Sequence, residues 1–201
     1  MRLSAIAAIA LPLVIGACAS STDPSVSMRA QGDACALFAE QPEWYHATRQ
    51  AAERWGVPVE LQLAIIWRES SFRSDVRPPK KYRLGFIPAG HVSSAYGYAQ
   101  AIDGTWDWYR EETGNRNADR TDFEDAADFV GLYVNKTVRS NDIQVFDAFN
   151  QYLNYHEGHT GFRRGDWQQK DWLQRAAREV AEQAARYRGQ LARCAPGLSV
   201  T

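Results

Sequence analysis

An all-α domain is what this sequence predicts, and three observations point to it. Apolar residues recur at helical spacing, most plainly near the C-terminus, where Leu173, Ala177, Val180, Ala184, Tyr187, Leu191 and Cys194 alternate steps of four and three. No segment alternates apolar and polar residues with the period of a strand. The chain has 201 residues, 45% hydrophobic and 23% charged, the proportions of one ordinary globular domain. That composition excludes a mostly disordered chain, a collagen-like one and a multi-pass membrane protein. The domain is expected over residues 33–196, followed by a short tail at 197–201.

The first residues read as an address. Arg2 is a short positive n-region, and Leu3 to Ala17 is an apolar run interrupted by Ser4, Pro12 and Gly16. The run falls short of the ~20 residues that span a bilayer but suits a signal peptide over 1–17. It closes on Ile15-Gly16-Ala17-Cys18, which resembles the lipobox of bacterial lipoproteins. The resemblance implies cleavage before Cys18 and acylation of that cysteine, and two or more acyl chains anchor a protein stably to a membrane. Ala19 stands where inner-membrane lipoproteins of some bacteria carry Asp, which leans toward a periplasmic, outer-membrane location. Residues 18–32 read as a tether, since the stretch after Cys18 is small and polar. An ordinary secretory signal with a chance cysteine is the alternative.

Helices follow in order. Pro42 opens one that runs to about Trp55 and stops at Gly56. Pro58 leads into Val59 to Ser70, apolar on nearly every side from Leu61 to Trp67, as a core helix is. A loop of over twenty residues comes next, with Pro78, Pro79, Gly85, Pro88 and Gly90; loops of that length are usually functional. Tyr98 to Glu112 is expected to be helical, ending at Gly114. Thr121 and Glu124 form a capping box ahead of a helix to about Arg139. Ile143 to Tyr155 follows, ending at Gly158, and the last helix is expected from about Gln168 to Arg193.

With Cys18 assigned to lipid, Cys35 and Cys194 remain, one near each end of the domain. In an oxidising compartment two such cysteines are candidate disulfide partners; two buried free thiols are the alternative. Net charge is −1, from 23 basic and 24 acidic residues, which argues against nucleic acid as the main partner. Aromatic residues reach 12%, with 7 Trp, and aromatic rings suit flat hydroxylated ligands such as sugars. Trp106, Trp108 and Tyr109 cluster on one helix, where core packing is the usual role and stacking on a sugar the other.

Glu69 is the carboxylate placed for chemistry. It lies at the end of the apolar helix, with Ile65 and Ile66 on its face. Burial and the negative end of the helix both favour the protonated form and raise the pKa. A carboxylic acid still protonated near neutrality can donate to a leaving oxygen. A solvated helix-end residue is the plain alternative.

Its neighbours shift the balance. Glu69-Ser70-Ser71-Phe72 resembles the E-S-x-F segment of lytic transglycosylases of the soluble-lytic-transglycosylase type. Gly97-Tyr98-Ala99-Gln100 is similar to the family's Gly-Leu-Met-Gln, and Asn154-Tyr155-His156-Glu157-Gly158 to its Ala-Tyr-Asn-small-Gly. The three motifs stand in family order from Glu69 to Gly158. The resemblance implies a lysozyme-like (goose-type) helical fold, peptidoglycan glycan strands as substrate, and no cofactor. It makes Glu69 the single catalytic acid and Ser70 its supporting neighbour. It places Gln100 along the sugar groove and points the Tyr155 hydroxyl at Glu69. Ser71, Tyr98 and His156 complete the expected substrate contacts. His156 replaces the usual Asn, Tyr98-Ala99 replaces Leu-Met, and the gap from Glu69 to Gln100 is long. That inserted segment carries Arg77, Lys80, Lys81 and Arg83; it reads as a groove wall, a site for an acidic partner, or a solvated basic loop.

One acid implies one mechanism. Glycosidases that hydrolyse use two carboxylates, whereas the resemblance implies that Glu69 alone acts as acid and then base, leaving a 1,6-anhydro muramoyl end. A second carboxylate across the groove would make a lysozyme-type hydrolase; Asp75, Asp103 and Glu157 are the candidates in sequence. A catalytically weak glycan-binding lipoprotein on the same fold is the rival from another class. His156-Glu157-Gly158-His159 does not match a helical zinc motif, because position 160 is Thr, and no metal is expected.

Overall fold

The computed structural model describes residues 26–198. The signal peptide, Cys18 and most of the expected tether lie outside the described residues. Among the described residues are eight helices and one hairpin: α1 (Met28–Gly32), α2 (Ala34–Glu40), α3 (Pro42–Trp55), α4 (Val59–Ser70), β1 (Lys80–Arg83), β2 (Ile87–His91), α5 (Asp103–Thr113), α6 (Phe123–Asn141), α7 (Ala148–Arg164) and α8 (Asp171–Leu198). The fold is therefore all-α in its body, as the apolar spacing predicts. No helix among these residues is long and apolar enough to cross a membrane.

Helix α4 is the axis of the core. Leu63, Ala64, Ile65 and Ile66 are all 0% exposed, and burying an Ile or Leu side chain is worth about 2 kcal/mol. Helix α8 packs along α4, and α3 along α6. The seam anticipated on α8 is what α8 buries: Leu173, Ala177, Val180 and Tyr187 are each 0% exposed. Across α3 and α6, Trp44 stacks on Phe123 with ring centroids 3.9 Å apart. Asp128 of α6 ties three helices together, accepting from Trp55 Nε1 at 2.7 Å, Arg54 Nη1 at 3.1 Å and the Tyr109 hydroxyl at 3.0 Å. The Cys35–Cys194 disulfide forms and fastens α8 to α2, with Cα atoms 6.0 Å apart.

Several sequence expectations are corrected. The folded body starts before residue 33: Val26 is buried, Ala30 is fully buried, and Ser27 Oγ caps α1 at the Ala30 amide. The tether expected over 18–32 thus does not extend over residues 26–32, which belong to the folded body. The long loop contains the antiparallel β1–β2 hairpin, turning through Leu84 and Gly85, both at positive φ. Both strands are almost wholly exposed, so no face is buried and no period-2 pattern marks them. Residues 98–102 are not helical. Gln100 has φ 49°, Tyr96 bridges to Ala101, and α5 starts only at Asp103.

The cap of α6 is Asp122, whose carboxylate accepts from the Asp125 amide at 3.1 Å. Thr121 is not the cap, because Asp119 Oδ1 takes both its N–H and its hydroxyl at 2.8 Å. Helix α7 starts later than Ile143, capped by Asp147, and resumes beyond Gly158 after a break there (φ 73°, ψ 159°). Helix α8 begins at Asp171 rather than Gln168 and continues past Arg193 to Leu198.

Candidate active site

Glu69 closes the last turn of α4 just before the chain reverses at Ser71, a left-handed residue with φ 54°. Its carboxyl meets a cavity of about 370 Å³ between α4, the 93–102 segment, α5, α6 and α7. Oε1 is buried and has no hydrogen-bond partner among the described residues. The Tyr152 side chain lies beside the carboxyl, where it favours the ionised form. Burial pushes the Glu69 pKa from 4.5 up to about 7, outweighing the Tyr152 hydrogen bond and the Arg68 charge, which lower it. An acid in a cavity lining that keeps its proton near neutral pH can deliver that proton to a bound ligand.

Gln100 and Tyr155 stand in the cavity wall with Glu69, as the motifs imply. Gln100 is locked by its own amide, Nε2 donating to Val76 O at 2.9 Å and Gly97 O at 2.8 Å. This turn needs Gly97: a Cβ there would lie 2.0 Å from Arg120 O, and φ is +76°. Tyr155 lies close enough to Glu69 to feel its charge, but its hydroxyl proton goes elsewhere. Its hydroxyl donates to Ala99 O at 2.6 Å, bracing the Gln100 turn against α7. Tyr152, one helical turn earlier on the same face of α7, is a second tyrosine beside Glu69.

Three further expectations are corrected. Ser70 is 3% exposed and its hydroxyl donates back to Ile66 O at 3.2 Å; it holds the helix end and does not line the cavity. Ser71 supplies the left-handed cap of α4 and likewise lies outside the lining. Tyr98 is 3% exposed and packs edge-on to Trp44 and Phe123 in the core. Its ring serves packing.

His156 does line the cavity. Its Nδ1 is 3.0 Å from Glu157 Oε1 and its ring meets Trp172 edge-on at 5.0 Å. Glu157 is the other carboxylate in the lining. Its side chain is only 4% exposed and both oxygens are held by Lys170 Nζ, at 2.8 and 2.7 Å. Burial alone would raise its pKa, but the hydrogen bonds and charges of Lys170 and His156 overcome that and lower it. Glu157 is thus a paired, ionised wall residue, with each oxygen accepting from the Lys170 ammonium. Asp75 is exposed and outside this cavity, and Asp103 pairs with Arg120 at 2.7 Å.

Tyr133 of α6 was not legible as a site residue. It lines the cavity, meets Tyr155 edge-on at 5.1 Å and stacks on His159 at 4.7 Å. Burial raises its pKa to about 12, so it stays a neutral hydroxyl. Of the aromatic cluster on α5, Trp106 and Tyr109 are core, while Trp108 reaches the surface where the groove continues past Tyr133 and Gly158.

A family model described as a transglycosylase SLT domain matches residues 6–194. No curated protein matches the chain. The matched stretch takes in all three motifs, the cavity they build and every helix through most of α8. The chain therefore belongs to the transglycosylase SLT domain family, with the lysozyme-like helical fold and the lytic transglycosylase role on peptidoglycan glycan strands that this membership carries.

Proposed function

We propose that this protein cleaves the β-1,4 bond between N-acetylmuramic acid and N-acetylglucosamine without consuming water, with Glu69 as the only acid and base. The observation that carries the reading is the Glu69 carboxyl itself: the residue lines the cavity, burial raises its pKa to about 7, and its buried Oε1 has no hydrogen-bond partner among the described residues. Protonated Glu69 gives its proton to the glycosidic oxygen, and the C1–O bond breaks as charge builds on the muramoyl ring. The substrate's own acetamido oxygen shields that charge. Glu69, now a carboxylate, takes the proton of the muramoyl 6-hydroxyl, whose oxygen bonds to C1 and closes the 1,6-anhydro ring. The acid is regenerated with no net proton change.

The chain's other groups orient this exchange. Tyr152 lies beside the carboxyl and favours its ionised form, the form that acts as base. Gln100, with its amide N–H groups spent on backbone carbonyls, keeps Oε1 as an acceptor for a sugar hydroxyl or amide. Glu157, clamped by Lys170, is poorly placed to activate water, which favours ring closure over hydrolysis. The lipobox-like Ile15-Gly16-Ala17-Cys18 supports export and lipidation at Cys18, with the domain held in the periplasm at the outer membrane.

Mass spectrometry of muropeptides from sacculi digested by the wild type and by Glu69→Gln tests the reading. Products lighter than reducing muropeptides by one water, absent with the variant, are expected. Reducing ends of full mass, lost with the variant, would make the protein a hydrolase. No product from either, with the protein folded and pelleting with sacculi, would leave a glycan-binding protein.

A further inference from the structure

Beside the catalytic cavity, and sharing Ser93 with it, lies a second cleft of about 540 Å³. The base of the β1–β2 hairpin forms one wall with Arg77 and His91, and α5 and the 118–120 segment form the other with Arg110 and Arg120. Three arginines face two aspartates here, Asp103 and Asp119. The charges are not equally free. Arg120 is already paired, donating to Ser94 O at 3.1 Å, Ala101 O at 2.9 Å and Asp103 Oδ1 at 2.7 Å. Asp119 Oδ1 is occupied by the Thr121 amide and hydroxyl.

Arg77 differs. Its guanidinium lies over the Tyr96 ring, 3.6 Å from the centroid, and it makes no ion pair among the described residues. Stacking holds the planar group while its N–H edge stays available. Arg110 has one loose partner, Asp107 at 3.7 Å. The segment from Val76 to Ile102 also contains no acidic residue to quench this wall.

We propose that this cleft binds a carboxylate of the peptide stem borne by a muramoyl unit, with Arg77 and Arg110 as the donors. The inference rests on the glycan-strand reading above and adds which part of the strand is recognised. An arginine fork suits carboxylate and phosphate alike, but the strand threading the adjoining cavity carries carboxylates on its stems and no phosphate in its repeat. The insertion after the catalytic helix thereby becomes a specificity element: it holds Arg77 beside the groove so that stem-bearing units are preferred.

The test uses the full chain. Isothermal titration of Glu69→Gln with a muramoyl tetrapeptide, and with the same compound amidated at its carboxyls, reads binding directly. Tighter binding of the free acid, weakened about tenfold by Arg77→Gln or Arg110→Gln, is expected for loss of one charge-assisted contact. In turnover, the ratio of kcat/KM on stem-bearing strands to kcat/KM on amidase-stripped strands should fall about tenfold in Arg77→Gln. A structural role would lower both and keep the ratio, which overturns the proposal. Equal binding of acid and amide also overturns it. Absence of turnover on any strand, with Arg77-dependent binding of the free acid intact, would refute the lytic mechanism and leave the carboxylate cleft standing.

Discussion

Replacing Glu69 by Gln should stabilise the protein at pH 8 relative to pH 4, whatever it does to activity. The unfolded carboxyl loses its proton near 4.5 and the folded one near 7. Between those values the folded chain binds more protons than the unfolded one, so raising the pH destabilises it. At about 1.4 kcal/mol per pH unit, the gap is worth about 3 kcal/mol, present below pH 4.5 and lost by pH 7 to 8. Part of Glu69 reaches the surface, so this is the upper end. Gln cannot ionise, so the variant does not suffer the loss. Other carboxylates with altered pKa values, Glu157 and Asp119 among them, change both proteins equally and cancel. The assay is urea unfolding of both proteins at pH 4 and pH 8. The stability difference should grow by about 3 kcal/mol toward high pH, or about 6–12 °C in Tm for a chain this long. Parallel stability profiles would refute the desolvated acid on which the mechanism depends.

Four more outcomes follow from the geometry. Because only protonated Glu69 can donate, kcat/KM should fall as pH rises through about 7. Tyr152→Phe removes the hydrogen bond that favours the carboxylate, so that limb should move up by roughly half to one pH unit in a pH–rate profile. Gly97→Ala should destabilise by more than about 2 kcal/mol in chemical denaturation, since the new Cβ meets the Arg120 carbonyl at a positive φ. Reducing the Cys35–Cys194 bridge, with its sequence separation of 159, should cost up to about 5 kcal/mol in urea unfolding, by the loop entropy it removes from the unfolded chain.

The groove's second carboxylate matters for chemistry because of what holds it. Glu157 shares the cavity with Glu69, yet the two carry opposite perturbations: burial keeps one protonated, and Lys170 keeps the other ionised. Two carboxyls with pKa values driven apart resemble a hydrolase pair. The difference is that both Glu157 oxygens are bound to an ammonium, which holds the carboxylate ionised and makes it a weaker base toward water. Lys170→Met would free Glu157, and the appearance of reducing ends among its products would show that the clamp suppresses hydrolysis.

The sequence by itself determined the helices that bury a face. Helices α3 and α4 fall where Pro42, Gly56 and Pro58 set them, and the α8 seam is buried as its spacing requires, because burial leaves a period in the sequence. Glu69 was legible for the same reason, as a charge at the end of an apolar helix within a recognisable motif. What lacked a buried period was not legible: the exposed β1–β2 hairpin, and the turn at 97–102 fixed by Gly97 against a carbonyl twenty-odd residues away. Only the tertiary structure decided which residues share the cavity. Motif adjacency put Ser70, Ser71 and Tyr98 beside the substrate, but successive residues on a helix end or a tight turn point in different directions: Ser70 and Tyr98 point into packing, and Ser71 lies outside the cavity lining. Tyr152 and Tyr155 lie on one helical face, and which of them reaches Glu69 depends on where the Ala99 carbonyl falls, a long-range distance that no local spacing encodes.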